Sequence, residues 1–159
     1  MITKRTIAML AIFFIGGGFA ASMTFAAGSS SSSQKPARKS DYAKAVSAVK
    51  AGQYRTAVTL LEKVVARDSR HADGYNYLAF SHRKLGQFNI AMKFYRKALA
   101  IDPKHKGAHE YIGELYLQLG NLAKAKGHLA RLDSICWLGC EEYTDLKAAI
   151  KRYEARKGG

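Results

Sequence analysis

Gly52, Gly86 and Gly120 stand 34 residues apart, and Ala57, Ala91 and Ala125 follow them at a constant step of five. A uniform period of this length, with Gly in mid-repeat and a small residue beyond it, restricts the chain to stacked helix–turn–helix units. Aligned on itself at that step, the chain sets Tyr75, Leu78 and Ala79 against His109, Ile112 and Gly113. The same step sets Ala91, Tyr95 and Ala98 against Ala125, Leu129 and Leu132. Spacings of three and four describe one buried helical face, and the period-two alternation of a strand is absent. Such an array usually presents a surface to partners rather than transforming a substrate.

Each unit predicts two helices, running in the central repeat from Asp73 to Leu85 and from Asn89 to Ile101. Gly86 supplies the positive φ that ends the first helix. Asn89 is the expected N-cap of the second, and Pro103 prevents that helix from running on. Ala79 and Ala91 are small where the paired helices must cross closely.

The stretch YNYLAFSHRKLGQFNIAMKFYRKALAIDP resembles the tetratricopeptide repeat (TPR) family, with Tyr75, Leu78, Ala79, Gly86, Ala91, Tyr95, Ala98 and Pro103 at motif positions. The resemblance implies an all-α fold: a right-handed TPR solenoid of three helix–turn–helix repeats, at 38–71, 72–105 and 106–139, plus a C-terminal capping helix at 140–156. Repeat three matches through Ile112, Gly113, Tyr116, Gly120 and Ala125 but carries Trp137 where the family's proline would sit. Repeat one keeps Ala45, Gly52, Ala57 and Leu61 yet places Lys44 at a normally apolar position, as a solvated terminal repeat does. Past Gly139, Tyr143 and Leu146 repeat the first helix only. Lys147 replaces the small residue that would admit a second.

Ahead of the array, Lys4 and Arg5 precede an uncharged apolar run from Ile7 to Ala21 and the small residues around Thr24 and Ala26. This is the layout of a secretory signal peptide over 1–27, cleaved after Ala26 or Ala27. The segment Thr6 to Ala27 is also long enough for an uncleaved membrane anchor. The stretch 28–40 lacks any burial pattern and reads as a Ser-rich flexible linker. The expected location is therefore periplasmic or secreted, with attachment to the inner membrane as the alternative.

Export changes how the only two cysteines, Cys136 and Cys140, are read. The register puts Cys136 at the end of the sixth helix and Cys140 beyond the turn Trp137-Leu138-Gly139, where the chain can fold back to form a disulfide. A thiol-redox role is the alternative, though the Cys-x-x-Cys spacing and any βαβ pattern are missing. His105 and His109, four apart, suit a packing role better than half of a metal site. No nucleophile motif accompanies the scattered histidines. The sequence therefore predicts no catalytic residue, metal or cofactor.

Charge is the second constraint: 26 Lys plus Arg against 12 Asp plus Glu give a net +14. Such a field attracts acidic partners and makes association salt-sensitive. With an export signal present, the expected partner is a protein or peptide of acidic character rather than nucleic acid. Contact with a membrane surface or an anionic envelope polymer is a further consequence. In the TPR family the first helices line a concave surface that holds peptides. By resemblance the lining here is Tyr42, Val46, Val49 and Lys50, then Asn76, Phe80, Arg83 and Lys84, then Glu110, Glu114, Leu117 and Gln118. The family's carboxylate clamp is missing, since Tyr42 and Val46 occupy its Lys and Asn positions. Substituting Phe80 or Arg83 is expected to weaken partner capture without harming the fold.

Overall fold

The computed structural model describes residues 34–158. They form α1 (Gln34–Lys50), α2 (Tyr54–Arg67), α3 (Ala72–Lys84), α4 (Phe88–Ile101), α5 (Lys106–Gln118), α6 (Leu122–Ile135) and α7 (Glu141–Gly158), with no strand among the described residues. The expected signal or anchor segment at 1–27, and residues 28–33 of the expected linker, lie outside the described residues. Helix α1 takes in the last seven residues of that linker stretch. Pro36 falls in its first turn, where a missing N–H costs no intrahelical bond.

The periodic glycines close the first helix of each pair in one way. Gly86 has φ 77°; its N–H donates to the Arg83 carbonyl at 3.0 Å, and the Gln87 N–H donates to the His82 carbonyl at 2.9 Å. This double bond pattern is a Schellman motif, which requires a left-handed residue. It recurs at Gly52 and Gly120. Because the motif ends at Gln87, α4 begins at once with Phe88, and Gln87 rather than Asn89 occupies the N-cap. Asn121, at the equivalent position of the third pair, does cap: its side chain accepts the Lys124 N–H at 3.0 Å.

Between pairs a second turn repeats. The Asp102 side chain accepts the Lys104 N–H at 2.9 Å, and His105 then caps α5 by accepting the Ala108 N–H on Nδ1 at 3.1 Å. Asp68 and His71 do the same ahead of α3. Histidines at N-caps were not anticipated from the sequence, because Ser, Thr, Asp and Asn dominate that position. One period on, Cys136 stands where Asp102 would be, and a disulfide to Cys140, Cα–Cα 5.6 Å, closes the turn before α7.

Packing passes from pair to pair. Ala45, Ala57, Leu61 and Leu78 form one core cluster, Ala79, Ala91, Tyr95, Ile112 and Leu115 the next, and Ala125, Leu132, Leu146 and Ile150 the last. Each cluster holds the small residues of a helix crossing and a large residue from the following helix, so no pair buries its face alone. At the last crossing a Cβ on Gly113 would lie 2.5 Å from Leu146 Cδ2, so α7 seats directly on α5.

Candidate partner-binding groove

Helix α1 touches α3, α3 touches α5 and α5 touches α7, whereas α2, α4 and α6 make no contact with one another. The array is therefore drawn together on its first-helix side and splayed on the other, which makes α1, α3, α5 and α7 the inner, concave row. On the opposite side, α4 carries Lys93, Arg96 and Lys97, all exposed, and no carboxylate.

An aromatic ridge runs along the inner row. The Phe80 ring lies 4.8 Å from Tyr111 and 6.2 Å from Tyr54, while Tyr42 lies 6.3 Å from Tyr77. All five rings are half-buried and offer apolar faces, and the four tyrosines add polar tips. Burial pushes the Tyr42 and Tyr111 phenols well above their ordinary range, so they stay neutral hydrogen-bonding groups. At the near end Val46 is half-buried, Val49 packs onto the first core cluster, and Lys50 is exposed. Lys84 is exposed with its Nζ 5.3 Å from the Phe80 centroid, and Gln118 is exposed on α5.

Two residues expected in the open groove are instead structural. The Arg83 side chain is only 3 % exposed; its Nη2 donates to Glu114 Oε2 at 2.7 Å, and its guanidinium lies 5.2 Å from the Phe80 centroid and 5.6 Å from that of Tyr111. It ties α3 to α5, so a charge reversal there would break the array rather than only the groove. Leu117 joins the core cluster of Leu132 and Leu146, because α7 covers that end of α5.

Asn76 and Glu110, also expected in the groove, are buried at the edge of a polar cavity of about 290 Å³ between α3, α5 and α7. Its wall adds residues the sequence reading missed: Asp73 and Tyr77 on α3, Tyr111 on α5, and Glu141, Glu142 and Asp145 on α7. The available signal was the cluster of three carboxylates in the first turns of the seventh helix, facing a register position already occupied by Glu110. Burial pushes the Glu110 carboxyl up to about 8, reinforced by Glu114, Asp145 and Glu142 and opposed by Arg83. Asp73 is held below the usual carboxylate range by its hydrogen bond from His105 Nε2, 3.0 Å away. Nδ1 of His105 accepts from Ala108, which leaves Nε2 as the nitrogen that donates to Asp73.

His109 donates from Nε2 to the Pro103 carbonyl at 3.1 Å, and its Nδ1 meets Nδ1 of His128 at 3.0 Å. Burial, the His109 ring and Arg131 bring His128 down to about 4, so the His128 ring is neutral near neutral pH. Among the described residues, no cluster of three or more His, Cys, Asp or Glu has the geometry to hold a metal ion.

A family model described as anaphase-promoting complex, cyclosome, subunit 3 matches residues 38–132. None of the curated proteins matches the chain. Among solved structures, the Yersinia enterocolitica type III secretion chaperone SycD in complex with a peptide of the translocator YopD is 19% identical. Its TM-score is 0.66 over 77% of this chain and 95% of that one. The first TPR domain of human RPAP3 is 21% identical, with TM-score 0.66 over 76% of this chain and 94% of that one. The first TPR of Spaghetti (RPAP3), bound to the HSP90 peptide SRMEEVD, is 20% identical, with TM-score 0.64 over 74% of this chain and 93% of that one. At such identities the likeness shows the fold. The family match, spanning more than half of the residues and coinciding with the helical array, makes this chain a member of that tetratricopeptide-repeat family.

Proposed function

We propose that this chain is a non-catalytic interaction module that holds a peptide or protein segment along the concave row of α1, α3, α5 and α7, as an adaptor or assembly factor of the cell envelope. The ridge of Tyr42, Tyr77, Phe80 and Tyr111 carries the reading: half-buried aromatic faces along a curved surface suit an extended or helical segment with apolar anchors. Structures of similar fold with peptides bound, SycD with a YopD peptide and Spaghetti with an HSP90 peptide, support it. The basic outer helices draw in an acidic partner surface at long range, while the groove selects the segment. An envelope location rests on the Lys4 to Ala27 pattern, and the Cys136–Cys140 bridge is the form these residues take in an oxidising compartment.

Crosslinking capture from the native envelope, at low and high salt, tests this reading. Wild-type protein should retain a discrete partner at high salt, and Phe80→Ala with Tyr111→Ala should lose it while helicity is kept. Capture that the double variant leaves intact sinks the proposal.

A second reading, a membrane-attached subunit of an envelope complex, is favoured by one observation. Trp137 and Leu138 are 85% and 82% exposed at the tip of the bridged turn, as residues at a bilayer interface are. Among the described residues no helix is long and apolar enough to cross a membrane, so attachment would fall to residues 6–27. Sequencing the N-terminus of the native protein separates the two: a start near Ala27 rejects the anchor. In either case the buried Cys136, already bridged in the turn before α7, suits a structural clasp better than thiol exchange.

A further inference from the structure

In a chain of net charge +14, the cavity between α3, α5 and α7 gathers five carboxylates and no Lys or Arg. Asp73 has His105 as its partner, but Glu110, Glu141, Glu142 and Asp145 have no basic residue at ion-pair distance among the described residues. Favourable placement at a helix N-terminus accounts for Glu141 and Glu142 in the first turn of α7. It does not account for Glu110, buried in mid-helix, or for Asn76. Asn76 is 4% exposed and lines the cavity, and its Oδ1 has no hydrogen-bond donor. That oxygen is sealed from solvent, so the unpaired acceptor that borders the cavity is Glu110, nine-tenths buried and without an ion-pair partner among the described residues, and a bound cation would offset the cost of its burial. The carboxylates of Asp73, Glu141, Glu142 and Asp145 outnumber the donors of the lining, which are the two phenols, the His105 ring, the Asn76 amide and the proton on Glu110, and the Tyr77 and Tyr111 rings supply π faces beside them. Acceptors, negative charge and aromatic faces together describe a receptor for an organic cation with several N–H donors. The cavity lies on the same concave row as the aromatic ridge and shares Tyr77 and Tyr111 with it.

We propose that this cavity receives one Lys or Arg side chain of the segment held in the groove, with the carboxylates of Glu110, Glu142 and Asp145 as its acceptors. The proposal rests on the groove reading above. It resolves an apparent mismatch of charge: the partner meets a basic outer surface at long range but is placed along the groove by a single basic side chain. The groups facing Glu110 are Glu114 on its own helix, Glu142 and Asp145 on α7, and Arg83 on α3, so before binding it holds a proton over much of the neutral range. The incoming cation displaces that proton.

Selection of peptides from a randomised bead-bound octapeptide library by the full chain tests the assignment. Wild-type protein should select peptides with apolar residues and with Lys or Arg enriched at one position. The pair Glu142→Gln and Asp145→Asn, both in the first turns of α7, should lose that enrichment and at least tenfold in affinity for a selected peptide. Calorimetry of that peptide near neutral pH, in two buffers of different ionisation heat, should show proton release with wild type. Selected peptides without a basic position, an enrichment the pair variant keeps, or spermine competing as strongly as the peptide would overturn the proposal while leaving the groove reading standing. Failure of the wild-type chain to select any peptide would overturn both.

Discussion

Arg83 Nη2 sits 2.7 Å from Glu114 Oε2, across the boundary between α3 and α5. One member of the pair is nearly sealed from solvent, at 3% exposure, while the other is 28% exposed. This geometry makes the pair a clasp between adjacent repeats, set between the Phe80 and Tyr111 rings that line the groove. Stability of the array and shape of its inner surface are thus joined at one residue.

Removing the clasp should unfold before it unbinds. Arg83→Met leaves Glu114 without its cation and is expected to cost about 2–3 kcal/mol, below the full penalty of a buried pair because Glu114 reaches solvent. Urea unfolding measures it. Adding Glu114→Gln to that variant should recover part of the loss, and a strictly additive double variant would show that the two side chains do not act together.

Glu110 should make stability depend on pH in the opposite sense to an ordinary carboxylate. Its folded carboxyl titrates at about 8 against 4.5 when unfolded. The folded chain therefore binds the proton more tightly. The contribution is full below the unfolded value, shrinks as pH rises, and is gone once pH passes the folded value. Glu110→Gln should be without effect in acid and should stabilise the chain by about 1 kcal/mol at mildly alkaline pH, screening in the open cavity being allowed for. Asp73 works the other way, since His105 holds its carboxyl low and its contribution is lost only as acid protonates it. Thermal melts across the pH range distinguish the two, and a Gln variant with an unchanged pH profile would contradict the assignment.

Gly113 controls how α7 seats. Its missing Cβ leaves the space that Leu146 occupies, so Gly113→Val should cost about 1–3 kcal/mol through overpacking. Loss of protection in α7 ahead of α3 and α4, followed by hydrogen exchange, is the expected pattern. Uniform loss along the chain would mean that α7 does not open by itself.

The bridge between Cys136 and Cys140 closes a very short loop, so its chain-entropy contribution is about 2 kcal/mol at most. Replacing both residues by Ser should lower the melting temperature slightly and speed exchange at the first turn of α7. A large global loss would show that the bridge holds more than this turn.

The periodicity of Gly52, Gly86 and Gly120 was enough to predict the three helix pairs, with Tyr143 and Leu146 adding the seventh helix, because a Schellman turn and a close helix crossing are conditions set within one repeat. The small residues Ala79 and Ala91 were legible in the same way, each needing only its partner helix. The N-cap of α4 was misplaced by two residues, since the tight turn at Gly86 brings Gln87 into that position before Asn89 is reached. Arg83 was read as exposed because its register position faces inward; its burial arises only when Glu114 and Tyr111, one repeat away, close over it.

The local code of the array is written in the chain: period, turn glycines, helix crossings and the short reach between Cys136 and Cys140. Tertiary structure alone decided the chemistry of the inner face. Asp73 and Asp145 lie two repeats apart in the chain, and they line one cavity because curvature drew the first helices together and Gly113 let α7 settle against α5. Periodic sequence constrains neighbours within a repeat; the meeting of side chains from three helices depends on how the repeats stack.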